Sequence, residues 1–259
     1  MLITRAMPCL LLKDGALVKT VKFKDPAYIG DPINAIRIYN RKEVDELIFL
    51  DITATQEKRK PPFKVLSEIA SECFMPVAYG GGIRDLADIK TVFTLGIEKV
   101  ALNSYAVENP RFVREAADRF GSQSIVVSID VKKTRAGRHE VYTNGGRTAT
   151  GLDPVAFAAE MERSGAGELL LTSIDRDGTQ EGYDIPLIKS VTGAVGVPVI
   201  ACGGAGTVED FGAAVSEGGA SACAAGSMVV YYGRNRAVLI NFPTRQDLDR
   251  VFGTQGART

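Results

Sequence analysis

Three aspartates stand where acid–base chemistry could sit. Asp51, Asp130 and Asp177 each lie at or just beyond the end of a short apolar run: Leu47–Leu50, Ile125–Ile129 and Leu169–Leu171. A carboxylate at the C-terminal end of a buried strand can give or take a proton from a ligand held above the sheet. Each aspartate alone also fits a helix cap or a loop ion pair. Two glycine clusters, Gly80-Gly81-Gly82 and Gly203-Gly204-Ala205-Gly206, follow other apolar runs and precede helical patterns. Closely spaced backbone N–H groups beside a helix N-terminus bind anions without needing lysine, whereas the plain alternative is a tight turn. Small polar residues, Asn103-Ser104 and Gly226-Ser227, close two further runs. Two such constellations predict two phosphate sites, and hence a ligand with a phosphate at each end.

Composition removes other chemistries. The chain has one histidine, so a Ser-His-Asp or Cys-His site could run only through His139, and no zinc site with two histidines is possible. His139 lies in a charged, turn-like stretch and reads as a solvated loop residue. Cys9, Cys73, Cys202 and Cys223 show no C-x-x-C spacing and read as reduced thiols, three of them in apolar runs. No metal or cofactor is expected. Thirty-one basic residues balance 31 acidic ones, which supplies no broad attraction for nucleic acid or an acidic membrane. The N-terminal residues lack a signal-peptide core and no run approaches the ~20 apolar residues of a membrane span, so the cytoplasm is the expected compartment.

A second charged set lies at the opposite ends of the runs. Arg5, Glu46, Lys99 and Glu168 sit at or just before the starts of the first, second, fourth and sixth. With a strand period of two, Arg5, Met7, Cys9 and Leu11 share a face, and Arg5 and Leu11 stand ~20 Å apart at ~3.3 Å per residue. Pointing inward, the four charges would close one end of an axis as a neutral ring. Pointing outward, they would be solvated rim charges.

The elements that must position these residues repeat evenly. Eight runs have the length of buried parallel strands: Met7–Leu12, Leu47–Leu50, Pro76–Tyr79, Val100–Leu102, Ile125–Ile129, Leu169–Leu171, Val197–Ala201 and Ser221–Ala225. Amphipathic stretches separate most of them, with Asp85 and Thr207 as N-caps and Pro110 and Pro154 as first-turn prolines. Strict alternation over 259 residues is the pattern of a single (β/α)8 TIM barrel. Glu46-Leu-Ile-Phe matches Glu168-Leu-Leu-Leu, and Gly81 matches Gly203, both at an offset of 122 residues. Residues 1–259 are thus expected to form one domain of two half-barrels, about 1–122 and 123–245.

Together these motifs resemble the cyclase subunit of imidazole glycerol phosphate synthase. The resemblance runs from Arg5 to about Ser227. It rests on Cys9-Leu, Lys13-Asp14-Gly15, Asp45-Glu46-Leu-Ile-Phe-Leu-Asp51-Ile-Thr, Gly80-Gly-Gly-Ile, Gly121-Ser-Gln-Ser, Thr172-Ser-Ile-Asp-Arg-Asp-Gly-Thr179 and Cys202-Gly-Gly-Ala-Gly206. In that family a glutaminase docks under the barrel, and ammonia passes up the axis to a bisphosphate ribosyl substrate at the mouth. The resemblance implies that Arg5, Glu46, Lys99 and Glu168 form the ammonia gate. It implies phosphate or substrate contacts from Gly81, Gly82, Asn103, Ser104, Asp177, Gly178, Gly203, Gly204, Gly226 and Ser227. Lys19 is then in a mobile first loop, and Asp130 is one of two catalytic aspartates.

Two departures alter that expectation. The family's other catalytic aspartate falls at Leu11, within Pro8-Cys9-Leu10-Leu11-Leu12-Lys13. Leucine transfers no proton, and general acid–base catalysis is typically worth about 10²–10⁴-fold. The family also closes with a helical eighth unit, and here the stretch from Val230 to Thr244 is expected to replace it, Gly233 and Pro243 disfavouring a continuous helix. Within it, Ala237–Phe242 reads as extended and apolar, either core or partner surface. Both departures resemble a branch encoded beside surface-polysaccharide genes, similar also in Val18–Lys24, Gly30–Arg37 and Arg236-Ala-Val-Leu-Ile. That branch implies a barrel delivering ammonia from a glutaminase to a separate sugar amidotransferase that builds an acetamidino group. The alternative is an active cyclase in histidine synthesis, with Asp130 or a displaced Asp14 covering for the lost base.

Overall fold

The computed structural model describes residues 4–233 and 235–253. Eight strands run parallel: β1 (Arg5–Lys13), β2 (Leu47–Asp51), β3 (Val77–Gly80), β4 (Lys99–Leu102), β5 (Ile125–Lys133), β6 (Glu168–Ser173), β7 (Val199–Cys202) and β8 (Ala222–Ala225). Each pairs with the next in chain order, and β8 pairs with β1 at Arg5↔Ala222, so the sheet closes on itself. The expected (β/α)8 barrel is the fold. Every predicted run lies in a barrel strand or overlaps one by at least three residues.

Closure explains why the runs are apolar throughout. Alternate residues serve two separate cores. Met7, Ile48, Ala78, Val126, Leu170 and Ile200 point to the axis. Their neighbours, among them Leu10, Phe49, Tyr79, Val127 and Leu171, pack beneath the helices. A helix follows each strand, and the expected caps are in place. Asp85 accepts from the Asp88 N–H at 2.7 Å, Thr207 forms a capping box with Asp210, and Pro110 and Pro154 open their helices. The glycine clusters pack alike at their 122-residue spacing. A side chain at Gly81 (φ 130°) would meet Asp51 Cβ at 2.7 Å, and one at Gly203 (φ 84°) would meet the Ser173 carbonyl oxygen at 2.6 Å.

Three expectations are corrected. Lys19 is not in a loop: it lies in a strand, Ala16–Val21, antiparallel to β1 at Leu11↔Val18 and paired outward with Lys24–Gly30. The turn is Asp14-Gly15, with φ of 52° and 77°, the geometry that favours Asp-Gly in a hairpin. His139 is not a solvated loop residue either. β5 overshoots the barrel rim, and His139–Thr143 folds back on it at Asp130↔Tyr142. The half-buried imidazole brings Nε2 within 3.4 Å of Asp184 Oδ2, away from the barrel mouth.

The third correction concerns the chain end. The eighth helical unit is present, displaced rather than replaced. Tyr231–Tyr232 and Ala237–Val238 form a small antiparallel hairpin, and the helix Arg245–Phe252 follows Pro243. The Phe252 ring stacks on Phe211 at 6.4 Å, so this helix packs in the place an eighth helix would take. The apolar segment before it is divided: Phe242 is buried edge-on to Tyr39, while Val238 and Leu239 are exposed.

Thr244 starts that last helix through a capping box with Asp247, accepting its N–H at 3.2 Å. Thr244→Ala is expected to cost about 1 kcal/mol, read as a lowered urea midpoint with an unchanged denaturant slope.

Candidate functional site

At the N-terminal end of the barrel the four charges turn inward and join. Arg5 Nη1 lies 2.5 Å from Glu46 Oε2, and its Nη2 pairs with Glu168. Lys99 Nζ completes the circuit at 2.9 Å from Glu46 and 3.0 Å from Glu168. The reading of solvated rim charges is set aside, because both carboxylates are at least 94% buried. Burial opposes the charge on Arg5, yet its two carboxylate partners outweigh that and hold the guanidinium above its ordinary value. Alternating signs make the ring neutral, which is what allows four charges to leave water together.

Above the ring the axis is lined by Ala78, Ala101, Ala222 and Ala224 together with the larger Met7, Ile48, Val126, Leu170 and Ile200. The Cys9 and Cys202 thiols meet near the top of this column. Cys202 hydrogen-bonds to Cys9 and, with the Lys19 ammonium nearby, holds Cys9 below its usual value against the cost of burial. All four cysteines are free thiols, as expected, though Cys73 and Cys202 are only half-buried.

The mouth is a cavity of about 220 Å³. The structure brings nearly all the anticipated residues to it: Asp130 and Leu11, both glycine clusters, Asn103-Ser104, Asp177-Gly178, Gly226-Ser227 and Lys19. Asp14 is the exception, exposed at the hairpin turn and outside the cavity lining. It is not placed to act on a ligand held in the cavity.

Each aspartate has a distinct environment. Asp51 is the loop ion pair that its spacing allowed: Arg59 grips both its oxygens at 2.9 and 3.0 Å, and Oδ1 also accepts from the Thr53 and Ala54 N–H groups. That pairing raises Arg59 above its ordinary value, chiefly through the Asp51 hydrogen bonds. Asp177 ties down the first hairpin, accepting from Thr20 Oγ1 at 2.9 Å and the Phe23 N–H at 3.3 Å. Asp130 has only Asn103 Nδ2 at 3.3 Å and a hydrogen bond with Ser128. Burial, reinforced by the charge of Asp177, pushes Asp130 up to about 7. A carboxyl poised there can donate or accept a proton near neutrality. Leu11 on β1 lines the same cavity and is apolar.

The two helices behind the glycine clusters do not themselves offer free N-termini. Asp85 caps one, and Asp210 Oδ2 takes the N–H groups of Gly206 and Thr207 on the other, both at 2.8 Å. The anion-binding capacity rests instead with the loops. Among the described residues nothing accepts from the N–H groups of Gly82, Ser104, Gly204 or Ser227, and all four line the cavity. Sequence reasoning missed Thr20 and Phe23 at this mouth, and Arg59 behind Asp51. The Asp14-Gly15 and Asn144-Gly145-Gly146 turns were the available signals for the hairpins, since all five residues have positive φ. Among the described residues no three His, Cys, Asp or Glu side chains gather as a metal site, and no helix is long and apolar enough to cross a membrane.

A closed (β/α)8 barrel with paired glycine-rich loops and a carboxyl at one mouth places the chain in the class of TIM-barrel proteins. The chain belongs to the histidine biosynthesis protein family, whose model matches residues 5–235. It is 50% identical over 245 residues to a Pseudomonas aeruginosa protein named "Putative imidazole glycerol phosphate synthase subunit hisF2", covering 95% of this chain and 98% of that one. It is 44% identical over 253 residues to a Leptospira interrogans protein named "Putative imidazole glycerol phosphate synthase subunit HisF", covering 97% and 100%.

Two measurements probe this site. Asp130 rises on folding from an ordinary 3.8 to about 7, so folding favours its protonated form and stability falls as pH rises across that window. Asp130→Asn is therefore expected to match the wild type near pH 4 and exceed it at pH 8, by at most ~4 kcal/mol, in denaturation curves at both pH values. At the other end, Lys99→Met leaves Glu46 and Glu168 sharing one cation. Unpairing part of a buried ion network costs about 3 kcal/mol, which chemical denaturation at neutral pH would register.

Proposed function

We propose that this protein is an ammonia-conducting barrel subunit of a glutamine-dependent amidotransferase. Its acceptor is a surface-polysaccharide sugar that receives an acetamidino group. The observation that carries the reading is a contrast along one axis. The charge ring at the N-terminal end is complete, while at the mouth Asp130 faces Leu11 in place of a second carboxyl. A chain selected only for the cyclase reaction has no reason to keep the first and lose the second. A glutaminase would dock on the N-terminal face, under the ring, and the sugar amidotransferase at the opposite face. The partnership fits the relatives, which are named as synthase subunits. The chain is one barrel domain in this reading, built of two half-barrels, and works in the cytoplasm without a cofactor.

Reconstitution of the three proteins tests the proposal. Glutamine-dependent amidination of the sugar is expected, and Lys99→Met should lower the ratio of amidinated sugar to glutamine hydrolysed. Absence of amidination with all three present would reject the role. An unchanged ratio in Lys99→Met would instead make the barrel a scaffold with a sealed axis.

An active cyclase in histidine synthesis is the second reading, favoured by the near-neutral Asp130 and the two glycine loops. Supplying the bisphosphate ribosyl substrate with ammonium salt bypasses any partner. Low turnover is expected from the wild type, with a gain of about 10²–10⁴-fold in Leu11→Asp. Efficient wild-type turnover would favour the cyclase instead.

A further inference from the structure

Two thiols near the top of the axis serve neither the charge ring nor the acid–base group. Cys9 on β1 and Cys202 on β7 both belong to the inward-facing cluster, and both line the mouth cavity. A (β/α)8 barrel stacks its inward side chains in layers drawn from alternate strands, which makes β1 and β7 neighbours within a layer. Only β8 runs between them. Its inward residue there, paired with Cys202 on one side and with Met7 on the other, is Ala224. A methyl group is too small to hold two cysteine side chains apart, and the sulfurs meet.

Their surroundings give the two sulfurs different roles. Lys19 is 4% exposed and forms no ion pair or hydrogen bond among the described residues. Its Nζ fills the space that a side chain at Gly226 would take, and the Cys9 carbonyl oxygen borders the same space at 3.3 Å. The hydrogen bond from Cys202, helped by the Lys19 ammonium, holds Cys9 below its ordinary value against burial. Cys202 moves the other way, well above its ordinary value, through that same hydrogen bond and through burial. One sulfur is thus the nucleophile, and the other keeps its proton. The remaining cysteines lack such a setting. Cys223 faces the helices and donates to the Phe211 carbonyl at 3.6 Å, and burial pushes Cys73 up to about 12. Neither lines the cavity.

We infer that Cys9 and Cys202 form a peroxide-reactive dithiol centre, in which hydrogen peroxide entering through the mouth cavity oxidises Cys9 and Cys202 closes the disulfide. The Cys9 thiolate attacks one peroxide oxygen, the O–O bond breaks, and the departing hydroxide takes up a proton as water. Cys9 is now a sulfenic acid. The Cys202 sulfur attacks the Cys9 sulfur, the S–O bond breaks, and the Cys202 proton leaves with the hydroxide as a second water. Two thiols and one peroxide become one disulfide and two waters. The bond draws the sulfurs from contact to about 2.05 Å and ties β1 to β7 across the axis. Thiols restore the reduced pair by exchange, so the modification is reversible.

The whole chain, fully reduced and then exposed to hydrogen peroxide, is read by intact mass and by peptide mapping without reductant. The expected product has lost two hydrogen atoms and carries a single Cys9–Cys202 link, and dithiothreitol restores the starting mass. Cys202→Ser is expected to stop at a sulfenic acid on Cys9, which dimedone captures, while Cys9→Ser should leave Cys202 a free thiol at the same exposure. Lys19→Met should slow formation of the link about tenfold. An unmodified wild type, a gain of oxygen without a link, or a link through Cys73 or Cys223 would each overturn the inference, and none of these readings depends on a variant folding. A rate in Lys19→Met equal to that of the wild type would remove Lys19 from the centre.

Discussion

Closing eight parallel strands on themselves turns every second side chain toward a single axis, and nearly everything distinctive about this protein lies along it. Space on the axis is scarce, so each inward position must be small, apolar or paired. Arg5, Glu46, Lys99 and Glu168 meet that demand by neutralising one another in a ring of alternating sign. Any one of them alone would be an unpaired charge withdrawn from water, and would cost several kcal/mol. The ring is therefore a four-residue unit, not four separate contacts. Above it the column is filled by alanines together with Met7, Ile48, Val126, Leu170 and Ile200.

The mouth obeys the same constraint with a different outcome. Asp130 is buried, and the charge of Asp177, of the same sign, adds to the cost of ionising it. Its proton is thus retained near neutrality. Leu11 on β1 lines the same cavity, and a buried leucine at that position suits the apolar strand. The hairpins following β1 and β5 rise above the rim and wall the cavity, and Thr20 and Phe23 fasten the first of them to Asp177.

Much of this was legible from residue order. The eight runs, the caps at Asp85 and Thr207 and the glycine clusters are local signals, set by strand period and by backbone conformations that few residues adopt. Lys19 shows the limit. Its strand alternates too little to announce itself, and the lysine is buried only because Gly226, more than 200 positions away, leaves it room. His139 failed for a related reason: its charged neighbours suggest solvent, whereas the overshooting end of β5 supplies a pairing partner. The last helix was hidden by the hairpin before it, since Gly233 and Pro243 end one pattern without revealing that another begins at Thr244.

The sequence by itself determined the barrel, the family and the leucine at position 11, because these depend on short-range periodicity and on residue identity. It could not decide whether four charges spread over 163 positions faced solvent or one another, nor which of three aspartates would keep its proton. Those outcomes depend on distances and burial between strands remote in the chain, and only closure of the barrel sets them.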